Sequence, residues 1–179
     1  CTATISKTIS QPTSIICNST PGTINCFGGS TTISVTAIGG TSPYNGTGNY
    51  TATAGNYNYT VTDFNGCTAT TSGFLSQPTN LVATAQAGSI RCYGGTTNVT
   101  ISATGGTAPY SGTGVFNVTA GTYSYTVSDA RGCVSTASAN VAQPVLLTVN
   151  STYQPILCYS GVTTITISAS GGVGPYSGT

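Results

Sequence analysis

Between Thr31 and Ile38 apolar and hydroxyl residues alternate, with Ile33, Val35 and Ala37 set against Thr32, Ser34 and Thr36. A period of two is the signature of a strand with one face in a core and the other in water. The same alternation returns as Val99, Ile101 and Ala103, and again as Ile165, Ile167 and Ala169. Further period-two stretches carry Tyr50, Ala52 and Ala54 (later Phe116, Val118 and Ala120) and Tyr57, Tyr59 and Val61 (later Tyr123, Tyr125 and Val127). These supply most of the bulky side chains for a core. Asp63-Phe64-Asn65-Gly66 and Asp129-Ala130-Arg131-Gly132 read as tight turns, with Asp at the first position and Gly where a positive φ is needed. The strand after each turn begins at Cys67 or Cys133. No stretch has a helical period, so the expected fold is all-β, built of small antiparallel β-sandwiches.

The elements recur at a fixed step. Cys26, Cys92 and Cys158 follow one another at 66 residues, as do Cys1, Cys67 and Cys133. Gln11-Pro12, Gln77-Pro78 and Gln143-Pro144 keep the same step, and so do Pro43-Tyr44, Pro109-Tyr110 and Pro175-Tyr176. Proline stops a strand and stiffens a short connection, so the Gln-Pro pairs are taken as boundaries. They divide the chain into the end of one repeat (1–12), two whole repeats (13–78 and 79–144) and the start of another (145–179). On this reading the chain is a window on a longer array, and a unit of 66 residues has a small core that a covalent staple would help.

Composition narrows the function. Charged residues make up 3% of the chain, with Lys and Arg totalling 3, Asp and Glu totalling 2, and no His; ordinary soluble domains carry about 25%. There is no basic field to draw phosphates, so nucleic acid is not expected as a partner. Apolar runs such as Val145 to Leu147 fall far below the roughly 18 residues that span a bilayer, so no transmembrane segment is expected. The opening residues do not read as a leader either. Seven Cys scattered without His do not make a zinc site. Disulfides in an oxidising compartment are the better reading, which places the chain outside the cell.

Three motifs are linked in each repeat. Cys-aromatic-Gly-Gly (26–29, 92–95) is followed by Gly-Gly-Thr-x-Pro-Tyr (39–44, 105–110), and then by Gly-x-Tyr-x-Tyr-x-Val-x-Asp-x-x-Gly-Cys (55–67, 121–133) ahead of Gln-Pro. Together they resemble the SprB-type repeat of Bacteroidetes gliding-motility adhesins and related large surface proteins. The resemblance covers the whole chain. It implies immunoglobulin-like sandwich repeats strung into secreted surface filaments, with neighbouring copies of the repeat as the partners.

No catalytic constellation is visible, and the chain is not expected to be an enzyme. Asp63 and Asp129 are the only side-chain carboxylates and stand one to a repeat, where a turn-capping role suits them. So few carboxylates do not make a calcium site, the hydroxyls have no His to activate them, and no cofactor is expected. Tyr57, Tyr59, Tyr123 and Tyr125 fall at core parity; Tyr44, Tyr110 and Tyr176 lie beside Pro in turns and are the candidates for surface contact, with turn packing as the alternative. Cys17 stands where Ala83 and Val149 stand in the other repeats, which suggests a buried free thiol, with an intermolecular disulfide as the alternative.

The expected disulfides are Cys26 with Cys67 and Cys92 with Cys133, leaving Cys1 and Cys158 to partners outside the window. A parity condition attaches to this. If the segment after Pro43-Tyr44 is a strand, four passes bring the two cysteines to one end; if it is a loop, three passes leave them at opposite ends and the bridges join neighbouring domains. Covalent glycans are expected as well. Sequons stand at Asn18, Asn45, Asn49, Asn58, Asn98, Asn117 and Asn150, with O-linked sugar on the Thr and Ser hydroxyls as the alternative, and sugar rather than charge would keep a chain of net charge +1 from associating through bare strand edges. The functional expectation is a structural stretch of a surface fibre or adhesin stalk. The alternative is a multivalent adhesive repeat that binds glycans or surfaces.

Overall fold

A computed structural model describes residues 1–178; Thr179, the last residue of the expected fourth segment, lies outside the described residues. The alternating stretches are strands, and nothing in the described residues is helical, so no helix is long and apolar enough to cross a membrane. The chain divides into two compact units, residues 1–80 and 81–179.

In the first unit β1 (Ile16–Pro21), β2 (Ser30–Ile38) and β3 (Gly48–Thr53) form one antiparallel sheet in that order. Strands β4 (Gly55–Thr62) and β5 (Thr68–Leu75) form a second. Registers put Ile33 opposite Tyr50 and Tyr57 opposite Gly73, so the apolar sets of neighbouring strands share one face. The two sheets close over a common core of Cys17, Ile24, Ile33, Val35, Val61 and Leu75, which is the arrangement of a small β-sandwich. Ile33 and Val61 are fully buried, as the alternation predicts. Ile24 is almost as deeply buried yet lies in the turn between β1 and β2, where no periodicity announces it. The recurrence of Ile90 and Ile156 at its step is the signal that would have found it.

The second unit has β6 (Val82–Ala87), β7 (Thr97–Thr104) and β8 (Gly114–Val118) in one sheet and β9 (Gly121–Ser128) with β10 (Val134–Val141) in another. Its pairings match those of the first unit: Val99 faces Phe116 and Tyr123 faces Ala139. The core is Ile90, Val99, Ile101, Val127, Ala139 and Val141. The unit ends in the hairpin sheet of β11 (Thr148–Tyr153) and β12 (Ile165–Ser170). Here Ile165 and Ile167 keep the core alternation but stay 59% and 44% exposed, since residues 145–178 contribute no second sheet to cover them.

The expected cysteine pairing is corrected by this topology. Residues 43–47 make a single bridge, Asn45 to Thr62, and no strand, so only β2, β3 and β4 lie between Cys26 and Cys67. Three passes put the two at opposite poles. At one pole the side-chain oxygen of Gln77, just past β5, accepts the N–H of Gly28 at 2.7 Å beside Cys26. At the other, Asp63 accepts the N–H of Thr41 at 3.0 Å and of Cys67 at 2.8 Å. The eight residues of β4 at about 3.3 Å each set the poles roughly 25 Å apart. Disulfide Cα atoms lie within about 7 Å. Cys92 and Cys133 are separated in the same way, with Gln143 on Gly94 at 2.8 Å and Asp129 on Cys133 at 2.9 Å. Cys67 and Cys92 are exposed free thiols, whereas Cys26 and Cys133 are disulfide-bonded.

Candidate functional site

Each complete unit concentrates its polar chemistry at the Asp-turn pole. Asp63 is buried, and one carboxylate oxygen accepts the N–H groups of Asn65 at 3.0 Å and Cys67 at 2.8 Å while the other takes Thr41. Burial by itself would raise this carboxyl, but the three backbone donors outweigh it and hold it below its usual value. Asp129 repeats the arrangement with Thr107, Arg131 and Cys133, and burial is again outweighed by those donors, helped by the charge of Arg131. Gly66 and Gly132 close the turns at φ of 87° and 82°. Both carboxylates are therefore ionised and their oxygens are occupied by backbone donors.

The Pro-Tyr turns sit at the same pole. The hydroxyl of Tyr44 donates to the carbonyl of Gly39 at 2.5 Å, Tyr110 to Gly105 at 2.6 Å and Tyr176 to Gly171 at 2.5 Å. Each ring thus spans its own Gly-Gly turn and holds it shut. Tyr44 and Tyr110 are half-buried and Tyr176 is exposed. Among the core-parity rings, Tyr50 stacks on Tyr59 at 4.6 Å between centroids, and Phe116 lies against Tyr125 at 4.9 Å. The Tyr125 hydroxyl is buried without a hydrogen-bond partner.

The opposite pole carries the Cys-aromatic-Gly-Gly turns, where Phe27 and Tyr93 are exposed. Sequence reasoning assigned Gln77 and Gln143 only a boundary role, yet they clamp these turns through Gly28 and Gly94. Cys1 and Cys158 are exposed free thiols, and Cys17 is free and buried, with burial pushing its thiol above the usual value. All seven sequon residues, Asn18, Asn45, Asn49, Asn58, Asn98, Asn117 and Asn150, are exposed. Asn117 donates to the side chain of Asn98 across the β7–β8 ladder at 3.0 Å. Among the described residues no three His, Cys, Asp or Glu side chains gather as metal ligands would. No protein-family model matches the chain, and no curated protein matches it either.

Proposed function

We propose that this chain is a structural segment of a secreted cell-surface fibre or adhesin stalk, a tandem array of immunoglobulin-like sandwiches repeating every 66 residues and coated with sugar. The observation that carries the reading is the reuse of one frame. The strand registers recur at equivalent positions in both units, and the Asp of the turn, the Gln of the clamp and the Tyr-to-Gly bond are the same residues in each. A recognition domain keeps its frame and varies its loop tips; here the Gly-Gly-Thr-x-Pro-Tyr tip is retained and its Tyr hydroxyl is engaged within the turn. The linked motifs resemble the SprB-type repeat, which favours a surface location, as does the presence of a disulfide.

The reading includes no catalysis, because both carboxylates serve turns and the chain has no His. Exposure of every sequon residue supports the sugar coat. Two measurements test the proposal. A glycan array probed with the purified chain is expected to stay blank, and specific binding at one sugar would replace the stalk with the adhesive reading. The intact mass of the native segment is expected to exceed the 17.8 kDa of the bare chain, and a bare mass would remove the sugar coat.

A further inference from the structure

Phe74 is 68% exposed although it lies within a strand, next to the buried Leu75. Strand register sets it opposite Asn56, and sets Ser72 opposite Asn58. Successive residues of a strand point to opposite faces, so all four side chains leave the outer face of the β4–β5 ladder. The other outward residues of these two strands are Asn or Thr, which makes Phe74 the one apolar side chain on this face. A hollow of about 590 Å³ runs along the ladder here, lined by Asn56, Tyr57, Asn58, Ser72, Gly73 and Phe74.

Asn58 opens the sequon Asn58-Tyr59-Thr60, and its Asn and Thr share the outer face because they stand two residues apart. Phe74 is the diagonal neighbour of Asn58, at a spacing of about 7–8 Å that a bulky group spans. The other sequons on paired strands have no aromatic residue opposite or diagonal to them. Asn18 faces Thr36, Asn49 faces Ser34 and Asn150 faces Ser168. Asn98 and Asn117 face each other, and their side chains are hydrogen-bonded together. In the second unit Ser124 stands at the step of Asn58 and Asn140 at that of Phe74, so the sequon and the ring disappear together.

We propose that Asn58 carries an N-linked sugar whose first ring lies over Phe74. The apolar C–H face of a pyranose fits a flat aromatic ring, while Asn56 and Ser72 offer an amide and a hydroxyl to the sugar's polar groups. The glycosyl group comes from a lipid-linked glycosyl diphosphate. The Asn58 amide nitrogen bonds to the anomeric carbon, the bond from that carbon to the diphosphate oxygen breaks with its electron pair on oxygen, and the amide gives up one proton. This rests on the sugar-coat reading and adds to it a sugar held down on the sheet, which covers the one apolar side chain of the outer face.

Two forms of the chain test this, the protein made in its native host and the bare chain made in a host without the transferase. Tandem mass spectrometry of the native form is expected to find sugar on Asn58. Phe74→Ala made in the native host is expected to lower the melting temperature by about 2–4 °C, whereas in the bare chain, where the ring is exposed, it should change nothing. In NMR spectra the C–H protons of the first sugar should be shifted upfield by the ring and lose that shift in Phe74→Ala. Sugar at other sequons with Asn58 bare would overturn the proposal and leave the coat standing, and so would sugar on Asn58 whose protons and melting temperature ignore Phe74→Ala. A native protein of bare mass would remove the coat and the proposal together.

Discussion

Gly73 leaves the space that Tyr57 occupies: the two face each other across the β4–β5 ladder, and a methyl on Gly73 would lie 2.5 Å from the Tyr57 hydroxyl. The second unit has Ala139 facing Tyr123 at the same place. There the hydroxyl donates to the carbonyl of Thr119 at 3.1 Å, whereas Tyr57 lies 3.3 Å from the hydroxyl of Ser19. The two sites differ in this methyl and in the partner on offer, since Ala85 stands in the second unit where Ser19 stands in the first. Gly73→Ala is expected to fold with Tyr57 swung toward Thr53, the counterpart of Thr119. The ring's end is mobile and Ala suits a strand better than Gly, so the stability change should stay within about 1 kcal/mol. Urea denaturation and a crystal structure of the variant check this; a loss of about 3 kcal/mol would show that the ring cannot move.

Gly46 and Gly66 separate backbone strain from crowding. Their φ values are 88° and 87°, but a Cβ on Gly46 would meet the carbonyl oxygen of Thr60 at 2.3 Å while one on Gly66 would meet nothing within 4 Å. Gly66→Ala should cost about 1–2 kcal/mol, the left-handed penalty alone. Gly46→Ala should cost clearly more, because the backbone of β4 cannot give way without breaking its ladder with β5. Equal midpoints in parallel urea titrations would contradict this account.

Acid sensitivity should trace to the Asp turns. The folded-state carboxyls of Asp63 and Asp129 lie below their usual 3.8, so the unfolded chain binds their protons more tightly than the folded one. Their stabilisation is therefore complete above the unfolded value and is lost as pH falls through the folded one. With no His in the chain, the melting temperature should be flat from roughly pH 5 to 8 and fall below about pH 4. The double variant Asp63→Asn, Asp129→Asn should melt lower at pH 7 and lose little more in acid. An acid fall of undiminished size in that variant would assign it to other groups.

Thiol reactivity should divide by burial. Cys1, Cys67, Cys92 and Cys158 are exposed and free, and Cys17 is buried with its thiol pushed up by desolvation. A native titration with a thiol-reactive dye should show four fast equivalents and one that appears only on unfolding. Cys17→Ala, which installs the residue found at position 83, should fold normally and lose the slow equivalent alone.

Much of this protein is decided locally. Alternation at Ile33 and Val35 places both residues in the core because a pleated strand must turn successive side chains to opposite faces. Asp63-Phe64-Asn65-Gly66 makes its turn because a short carboxylate reaches the N–H groups two and four residues on. The burial of Cys17 was legible from Ala83 and Val149 at its step. The cysteine connectivity was not, because it depended on whether residues 43–47 add a strand. They add one bridge, and the odd number of passes sends Cys26 and Cys67 to opposite poles. Nor could alternation reveal the Gln77 clamp, the burial of Ile24 or the exposure of Ile165. The period of a strand says which face a residue takes, but only the second sheet decides whether that face is covered, and only the fold brings residues 49 apart, such as Gly28 and Gln77, within reach of each other.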